Sequence, residues 1–339
     1  MQVKKILTAL SVISCLLSLQ SCLPEDEYDI SPEANFNALW RIMDERYCYF
    51  PYKNIDWNEI YSTYSRRIQP DMSNEALFDI LGKMLNELQD GHVNLYSSFN
   101  VSRYWKWYLD YPDNFDEKIQ RNYLQDDYYI ASSIKYKMLD DNIGYLYYSS
   151  FSNVIGEGNL DYILNSFSGC KGIIIDVRNN SGGLLSNVDI FASRFTEEKV
   201  LVGYSSYKTG KGHDDFSKPI PKYIDPAQRI RFQKPVVVLT NRQCYSATNE
   251  FINVMRYLPK VTILGDRTGG GGGLPFSSEL PNGWSVRFSA CPNYDADMND
   301  IEFGIDPDVF VNMTNEDSEK GLDTIIEEAR KLIELKMEN

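Results

Sequence analysis

Residues 172–183 read GIIIDVRNNSGG, and the fold of the chain is predicted from this stretch outward. The run at 172–177, apolar except for Asp176, is typical of a strand that is buried on both faces of a sheet. Paired glycines at 182–183 follow this strand. Apolar residues then recur with helical spacing at 184–195. A buried strand followed directly by a helix favours an α/β layer architecture.

The same alternation continues on both sides of this stretch. It predicts further strands and helices, in chain order a strand at 143–148, a strand at 235–240, a helix at 246–257, a strand at 261–264 and a charged helix at 317–335. We therefore expect residues 137–339 to form a layered α/β core around a buried sheet.

The residues before this core predict a small helical subdomain at 32–96. Ser31 is placed to cap a helix that begins with Pro32, and apolar residues recur at helical spacing again at 74–88. Residues 97–136 keep no period, so we expect a connector with short strands there.

Composition excludes several classes of function. The 339 residues include 34 Lys and Arg against 48 Asp and Glu, a net charge of −14. A chain this acidic repels a phosphate backbone, so we expect no nucleic-acid partner. The chain has two histidines, His92 and His213, with no zinc-protease spacing, and its glycine-rich segment lacks the ending of a phosphate-binding loop. We therefore expect neither a metal nor another cofactor.

The first 22 residues have the layout of a bacterial export signal. Lys4 and Lys5 precede an apolar stretch, and the run LQSC at 19–22 resembles a lipobox. We expect residues 1–21 to be a signal peptide, Cys22 to carry lipid, and 22–31 to form an acidic tether. This would place the protein in the outer membrane by a lipid anchor, facing the periplasm or the cell surface; the alternative is a soluble secreted protein.

Four more cysteines follow. They would form one or two disulfides in an oxidising compartment, or remain buried free thiols. They are Cys48, Cys170, Cys244 and Cys291.

Three segments place small or reactive residues after a predicted strand or helix. Glycines at 182–183 would let backbone amides face an anion, although an ordinary turn would look the same. Ser246 stands at the start of a helix, as a nucleophile or merely as its cap, with Cys244 as a rival nucleophile. His92 follows a glycine turn, whereas His213 lies in a polar stretch and is expected to be solvated.

Six motifs in one order give the chain a family resemblance. They are DGH at 90–92, IGY at 143–145, DVRNNSGG at 176–183, YSA at 245–247, GDRTGG at 265–270 and EFGIDPD at 302–308. Together they resemble the C-terminal processing peptidase family of serine peptidases, in the branch related to the tricorn protease core. The resemblance implies a Clp protease–crotonase-like fold that hydrolyses peptide bonds of a peptide or protein substrate.

The resemblance also implies roles for individual residues. Ser246 matches the nucleophile, and the Ala247 amide with an amide of Gly182 or Gly183 would form the oxyanion hole. Tail-specific members take their base from a lysine in the segment that aligns with 265–273.

That segment holds no lysine here, so the base falls to His92. Glu302 matches the glutamate that orients the histidine. Gly91 stands where the family has a serine, leaving a water or Asp90 as replacements.

The connector at 97–136 has 40 residues, too few for a PDZ module of about 80–100 residues that would capture a substrate's C-terminus. The glycine run at 269–273 would form either a mobile wall of the cleft or a turn with no contact role. We expect a serine endopeptidase or carboxyl-side processing peptidase at the cell envelope. The alternatives are a catalytically inert lipoprotein that binds peptides or glycans, and an esterase.

Overall fold

A computed structural model of the protein describes residues 29–338. The predicted signal peptide 1–21 and the predicted lipid attachment at Cys22 lie outside the described residues. The helices in chain order are α1 Pro32–Arg46, α2 Phe50–Lys53, α3 Trp57–Ser65, α4 Asn74–Asn86, α5 Lys106–Leu109, α6 Glu117–Leu124, α7 Glu157–Ser166, α8 Leu185–Ala192, α9 Ala247–Met255, α10 Asn315–Glu319 and α11 Thr324–Glu338.

The strands contribute to three sheets. They are β1 Asn94–Tyr96, β2 Val101–Arg103, β3 Tyr129–Ala131, β4 Ile134–Met138, β5 Ile143–Tyr148, β6 Gly172–Asp176, β7 Val200–Ser205, β8 Ile220–Ile224, β9 Val236–Thr240, β10 Val261–Gly265, β11 Leu274–Glu279, β12 Ser285–Cys291, β13 Asn293–Tyr294 and β14 Val309–Phe310.

The core is a seven-stranded sheet with the order β14-β10-β9-β6-β5-β4-β3. Neighbouring strands from β14 to β5 run parallel, and β4 and β3 continue antiparallel. In β6, Ile173 and Ile175 pack with α8 and α9 on one face, while Ile174 packs with α11 on the other. This burial on both faces explains the run of apolar residues before Asp176, and the predicted layered α/β core is confirmed.

The N-terminal helices pack on a separate four-stranded antiparallel sheet, β11-β12-β1-β2. Val286 and Phe288 of β12 are buried together with Leu39 and Leu81 of α1 and α4. A strand from far along the chain therefore completes the N-terminal core and joins it to the rest of the molecule. This pairing brings the end of α4 next to the main sheet.

Several element boundaries differ from the predictions. Residues 97–136 include β3 and the start of β4, which extend the main sheet, as well as β2 of the four-stranded sheet and the short helices α5 and α6. The predicted single helix at 317–335 is wrong: α10 and α11 are separated around Gly321, whose φ of +73° is not helical. The predicted cap is confirmed, since Ser31 Oγ accepts a hydrogen bond from the Ala34 amide at 3.2 Å.

Between residues 29 and 338, no helix combines the length and the apolar character needed to cross a membrane.

Candidate active site

Ser246 occupies a strained turn between β9 and α9. Its backbone has φ 58° and ψ −120°, a region that costs about 1–3 kcal/mol for a residue with a side chain. Surrounding hydrogen bonds hold it there: the Ser246 amide donates to Gly270 O at 2.9 Å, and the Glu250 amide donates to Ser246 O at 3.0 Å. The hydroxyl caps no helical amide. It is therefore turned away from α9 and free to contact another side chain.

That side chain is His92, which lies 154 residues earlier in the chain. Its Nε2 is 2.9 Å from Ser246 Oγ. The His92 amide donates to Asp90 Oδ1 at 2.7 Å, which fixes the turn after α4, and the ring packs edge-on against Tyr245. The structure thus brings together the serine and the histidine that the sequence singled out, at hydrogen-bonding distance.

The environment of His92 favours a neutral ring. Burial lowers its pKa to about 4; the Asp90 charge opposes this shift, while Arg287 and Lys53 add to it. Nδ1 makes no hydrogen bond of good geometry with the described residues, although the Gly273 carbonyl is close enough to favour a proton on the ring. A neutral imidazole with Nδ1 protonated would leave Nε2 free to accept the serine proton.

Two backbone amides beside Ser246 have no partner among residues 29–338. They belong to Ala247, at the start of α9, and to Gly183. The Gly182 amide is instead taken by Asn180 Oδ1 at 3.0 Å, so of the two glycine amides only that of Gly183 is free. Gly183 has φ +147°, and a Cβ there would lie 2.2 Å from Phe151 C, so only glycine fits this turn.

Glu302 makes no hydrogen bond with His92. Its Oε1 accepts from Lys53 Nζ at 2.9 Å, and its Oε2 accepts from the Gly272 amide at 3.0 Å. The Glu302 carbonyl also accepts from the Gly271 amide. The carbonyl of the neighbouring residue, Gly270, accepts the hydrogen bond from the Ser246 amide. Glu302 therefore fixes the glycine segment that holds the serine. Burial, and after it the negative charge of Asp90, raise the pKa of Glu302 to about 8, while the positive charge of Lys53 opposes the shift.

Asp90 anchors the turn that carries His92. Its Oδ2 accepts from Tyr47 Oη at 3.0 Å and Ser289 Oγ at 2.9 Å, and Lys53 Nζ lies 3.7 Å away. Asp90 contacts the backbone amide of His92 rather than its ring. Despite burial, the charges of Lys53 and His92 and the hydrogen bonds hold the pKa of Asp90 below its usual value.

Gly91 leaves room for two aromatic residues. A Cβ at Gly91 would lie 2.7 Å from Trp107 Nε1 and 2.8 Å from Tyr245 Oη. The two rings stack with centroids 4.2 Å apart. The space that a serine side chain would need at this position is therefore filled by these two rings.

The glycine run at 269–273 is neither a contact-free turn nor loosely held. Gly269 and Gly271 donate to backbone carbonyls, and Gly272 O accepts from Asn293 Nδ2 at 2.7 Å. At Gly270, φ is +88° and a Cβ would lie 1.9 Å from Glu302 O, so a side chain is excluded. The run forms one wall of a cavity beside Ser246.

Two cavities meet at Ser246. The first, of about 250 Å³, lies toward Ala247, Leu185 and the glycine run. The second, of about 370 Å³, lies toward His92 and the Gly182–Gly183 turn. A chain bound across both cavities would pass directly over the serine hydroxyl.

The rival residues are placed elsewhere. Cys244 is buried, donates from Sγ to Val177 O at 3.1 Å, and burial raises its pKa to about 12, so it is a poor nucleophile. His213, predicted to be solvated, is partly so: its side chain is 32% exposed, its ring stacks on Phe50 and its Nε2 lies 2.9 Å from Asp44 Oδ1. The four cysteines in the described part of the chain are free thiols. No group of three or more metal-ligating side chains occurs between residues 29 and 338.

Sequence reasoning missed three groups of the site. Lys53, Tyr47 and Ser289 complete the charged network behind the histidine, but no motif marks them. Arg287 borders both cavities and is half-buried. Tyr245 directly precedes Ser246, and this position is the sequence signal that could have marked it as part of the site.

Comparisons with known proteins identify the family and the fold of the chain. Residues 142–311, half of the chain, match the model of peptidase family S41, and residues 30–86 match the tricorn protease C1 domain. A crystal structure of a candidate peptidase from Parabacteroides merdae is 59% identical, with a TM-score of 0.87 over 90% of this chain and 97% of that one. Mature CPAF complexed with lactacystin is 12% identical, with a TM-score of 0.68 over 90% and 98% of the two chains, a likeness in fold.

Among curated proteins, the carboxy-terminal processing protease CtpA of Bacillus subtilis is 27% identical over 198 residues. This alignment covers 58% of the present chain and 40% of CtpA, so the chain spans less than half the length of that relative. The segment that matches the family model, residues 142–311, includes the strands and turns that carry Ser246 and its neighbouring amides. With its layered core, its N-terminal helices and these matches, the chain belongs to peptidase family S41, the family of C-terminal processing peptidases.

Proposed function

We propose that this protein is a serine peptidase in which Ser246 is the nucleophile and His92 the general base. Ser246 Oγ attacks the carbonyl carbon of a peptide bond while His92 Nε2 takes its proton. His92 then gives this proton to the leaving amine as the carbon–nitrogen bond breaks. A water molecule, deprotonated by the same nitrogen, releases the acyl group from Ser246.

The observation that carries this proposal is the 2.9 Å separation between Ser246 Oγ and His92 Nε2 beside two unpaired amides. Nucleophile and base must meet at this distance for proton transfer. Backbone amides that no protein group occupies can stabilise the oxyanion as it forms, and losing one such donor typically costs about 10²–10³ in kcat. We assign this role to the amides of Ala247 and Gly183.

Labelling with a fluorophosphonate probe tests the assignment of the nucleophile. The purified protein should be labelled, and Ser246→Ala should abolish the labelling because, between residues 29 and 338, no other hydroxyl hydrogen-bonds with the base beside the free amides. Ser62→Ala, on the exposed surface of α3, is the matched control and should label as the unaltered protein does.

The contrary result would be decisive. If the protein takes up no probe, or if Ser246→Ala is labelled as strongly as the control, the site is not that of a serine hydrolase. The inert peptide- or glycan-binding alternative would then be favoured.

We further propose that the protein is anchored to the cell envelope by lipid on Cys22, facing the periplasm or the cell surface. The support is the sequence alone: a basic start, an apolar stretch and LQSC at 19–22. Metabolic labelling with palmitate in a bacterial host should mark the protein, and Cys22→Ala should abolish the label. Cys15→Ala, within the apolar stretch, should keep it; a labelled Cys22→Ala protein would exclude this anchor.

A further inference from the structure

The cavity on the His92 side carries an unusual charge for so acidic a protein. Its lining includes Arg103 and Arg287 and, within the described part of the chain, no aspartate or glutamate. The whole chain has a net charge of −14. Aromatic rings of Trp105 and Trp107 form much of the remaining wall.

The register of the four-stranded sheet places the two arginines together. Asn94 of β1 is paired with Arg287 of β12 on one side and with Arg103 of β2 on the other. Residues directly opposite each other in paired strands point to the same face, and strands lie about 4.8 Å apart. The two arginines therefore stand on one face, two strand spacings apart, on a rigid element.

Neither guanidinium has an acidic partner. Among residues 29–338, no carboxylate forms an ion pair with Arg103 or Arg287, and neither side chain donates a hydrogen bond to a protein group. Arg103 packs over the Trp105 ring at 5.1 Å, which orients its planar group without using its donors. Arg103 is exposed and Arg287 is half-buried. Two cations with free donors at the border of a cavity make a binding site for an anion.

The chemistry of Ser246 decides which part of a substrate this cavity holds. The leaving amine must receive its proton from His92 Nε2, so the residues that follow the cleaved bond lie on the histidine side. The cavity toward Ala247 is then left for the acyl side. Arg287 borders both cavities, but Arg103 lines only the one on the histidine side, so an anion held by the two together belongs to the leaving part of the peptide.

We propose that Arg103 and Arg287 bind a carboxylate of the leaving peptide. Guanidinium groups match carboxylates with paired, charge-assisted hydrogen bonds. The carboxylate could come from the C-terminus of a substrate cut a few residues from its end, or from an aspartate or glutamate side chain. This inference deepens the proposed function and rests on it for the direction in which the substrate lies.

Binding to Ser246→Ala protein tests the proposal without requiring hydrolysis. Three fluorescein-labelled hexapeptides of one alanine-rich sequence are compared by anisotropy: one with a free C-terminal carboxylate, one with a C-terminal amide, and one amide with glutamate as its last residue. We expect the free acid to bind about tenfold or more tightly than the plain amide. Binding of the glutamate amide, relative to these two, identifies the source of the carboxylate.

Adding Arg287→Gln or Arg103→Gln should remove most of the preference for the acid. Arg41→Gln, at an exposed position on α1, is the matched control and should keep it. Raising the salt concentration should weaken binding of the acid more than that of the amide, without any further substitution.

Equal binding of the three peptides, or no binding of any up to millimolar concentration, would overturn the proposal. So would a preference for the acid that survives both arginine substitutions. Failure of the proposed function is distinguished by a separate experiment, because the unaltered protein would then not be labelled at Ser246 by the fluorophosphonate probe.

Discussion

Replacing His92 with alanine should lower kcat/KM for peptide hydrolysis by about 10³-fold or more. His92 Nε2 is the one side-chain nitrogen or oxygen that meets Ser246 Oγ in the described part of the chain. Without it, the serine proton has no acceptor and the leaving amine no donor. The measurement is steady-state hydrolysis of a quenched fluorescent peptide by both proteins.

The pH profile identifies the role of the histidine. Because burial lowers the His92 pKa to about 4, the ring stays neutral and kcat/KM should remain flat from about pH 7 down to about pH 5. Activity should fall as the pH drops through the pKa, since a protonated ring cannot accept the serine proton. A histidine with the ordinary pKa of about 6.5 would already lose most activity at pH 5.

His213→Ala is the control, because this second histidine packs on Phe50 and lines none of the cavities around Ser246. It should leave kcat/KM within about twofold of the unaltered value. Full activity in a folded His92→Ala protein, or an acid limb centred near pH 6.5, would contradict the assignment.

Replacing Lys53 with methionine should lower the free energy of unfolding by about 3–5 kcal/mol. The Lys53 side chain is 3% exposed, and it is the cation between two carboxylates that are equally enclosed, Asp90 and Glu302. Methionine fills similar space but leaves both acids without their counter-ion. Urea unfolding followed by circular dichroism measures the change.

The loss should be larger at pH 9 than at pH 6. The raised pKa of Glu302, about 8, means that its folded form gains stability from a bound proton, and this contribution fades as the pH rises through that value. Without Lys53 the carboxylates face each other unpaired once both are ionised. A further Glu302→Gln substitution should recover part of the loss, because it removes one of the two acids.

Lys171→Met gives the matched control, because its pair with Glu334 is on the surface. It should change the free energy of unfolding by less than about 1 kcal/mol. If Lys53→Met proves as harmless as this control, the buried network does not hold the two turns as we describe.

Local sequence was a good guide to the main sheet and a poor one to its surroundings. The strand predicted at 143–148 is the observed β5, and the run at 172–177 differs from β6 by one residue. These strands are buried on both faces, so their apolar content alone marks them. The charged segment 317–335 is predicted as a single helix because its many charged residues give no pattern that marks the break at Gly321.

For the site residues too, contacts between neighbouring strands could be predicted, whereas contacts between residues remote in the chain could not. The glycine turn and the serine at the ends of β6 and β9 could be placed together because parallel neighbours end at one edge of the sheet. Nothing local showed that Glu302 would meet Lys53 and the Gly272 amide instead of the histidine. That contact joins residues 249 positions apart and arises only when the N-terminal helices pack on β12.

By itself, the sequence determined the layered core, the order of its strands along the chain, and the small residues that the turns beside Ser246 require. These follow from backbone sterics and apolar periodicity, which act over a few residues. The tertiary structure decided what holds the histidine against the serine, which amides stay free, and which charges stand unpaired in the cleft. Such properties arise from the pairing of β1 with β12 and from burial, because hydrogen bonds and shifted pKa values depend on neighbours that are remote in the chain.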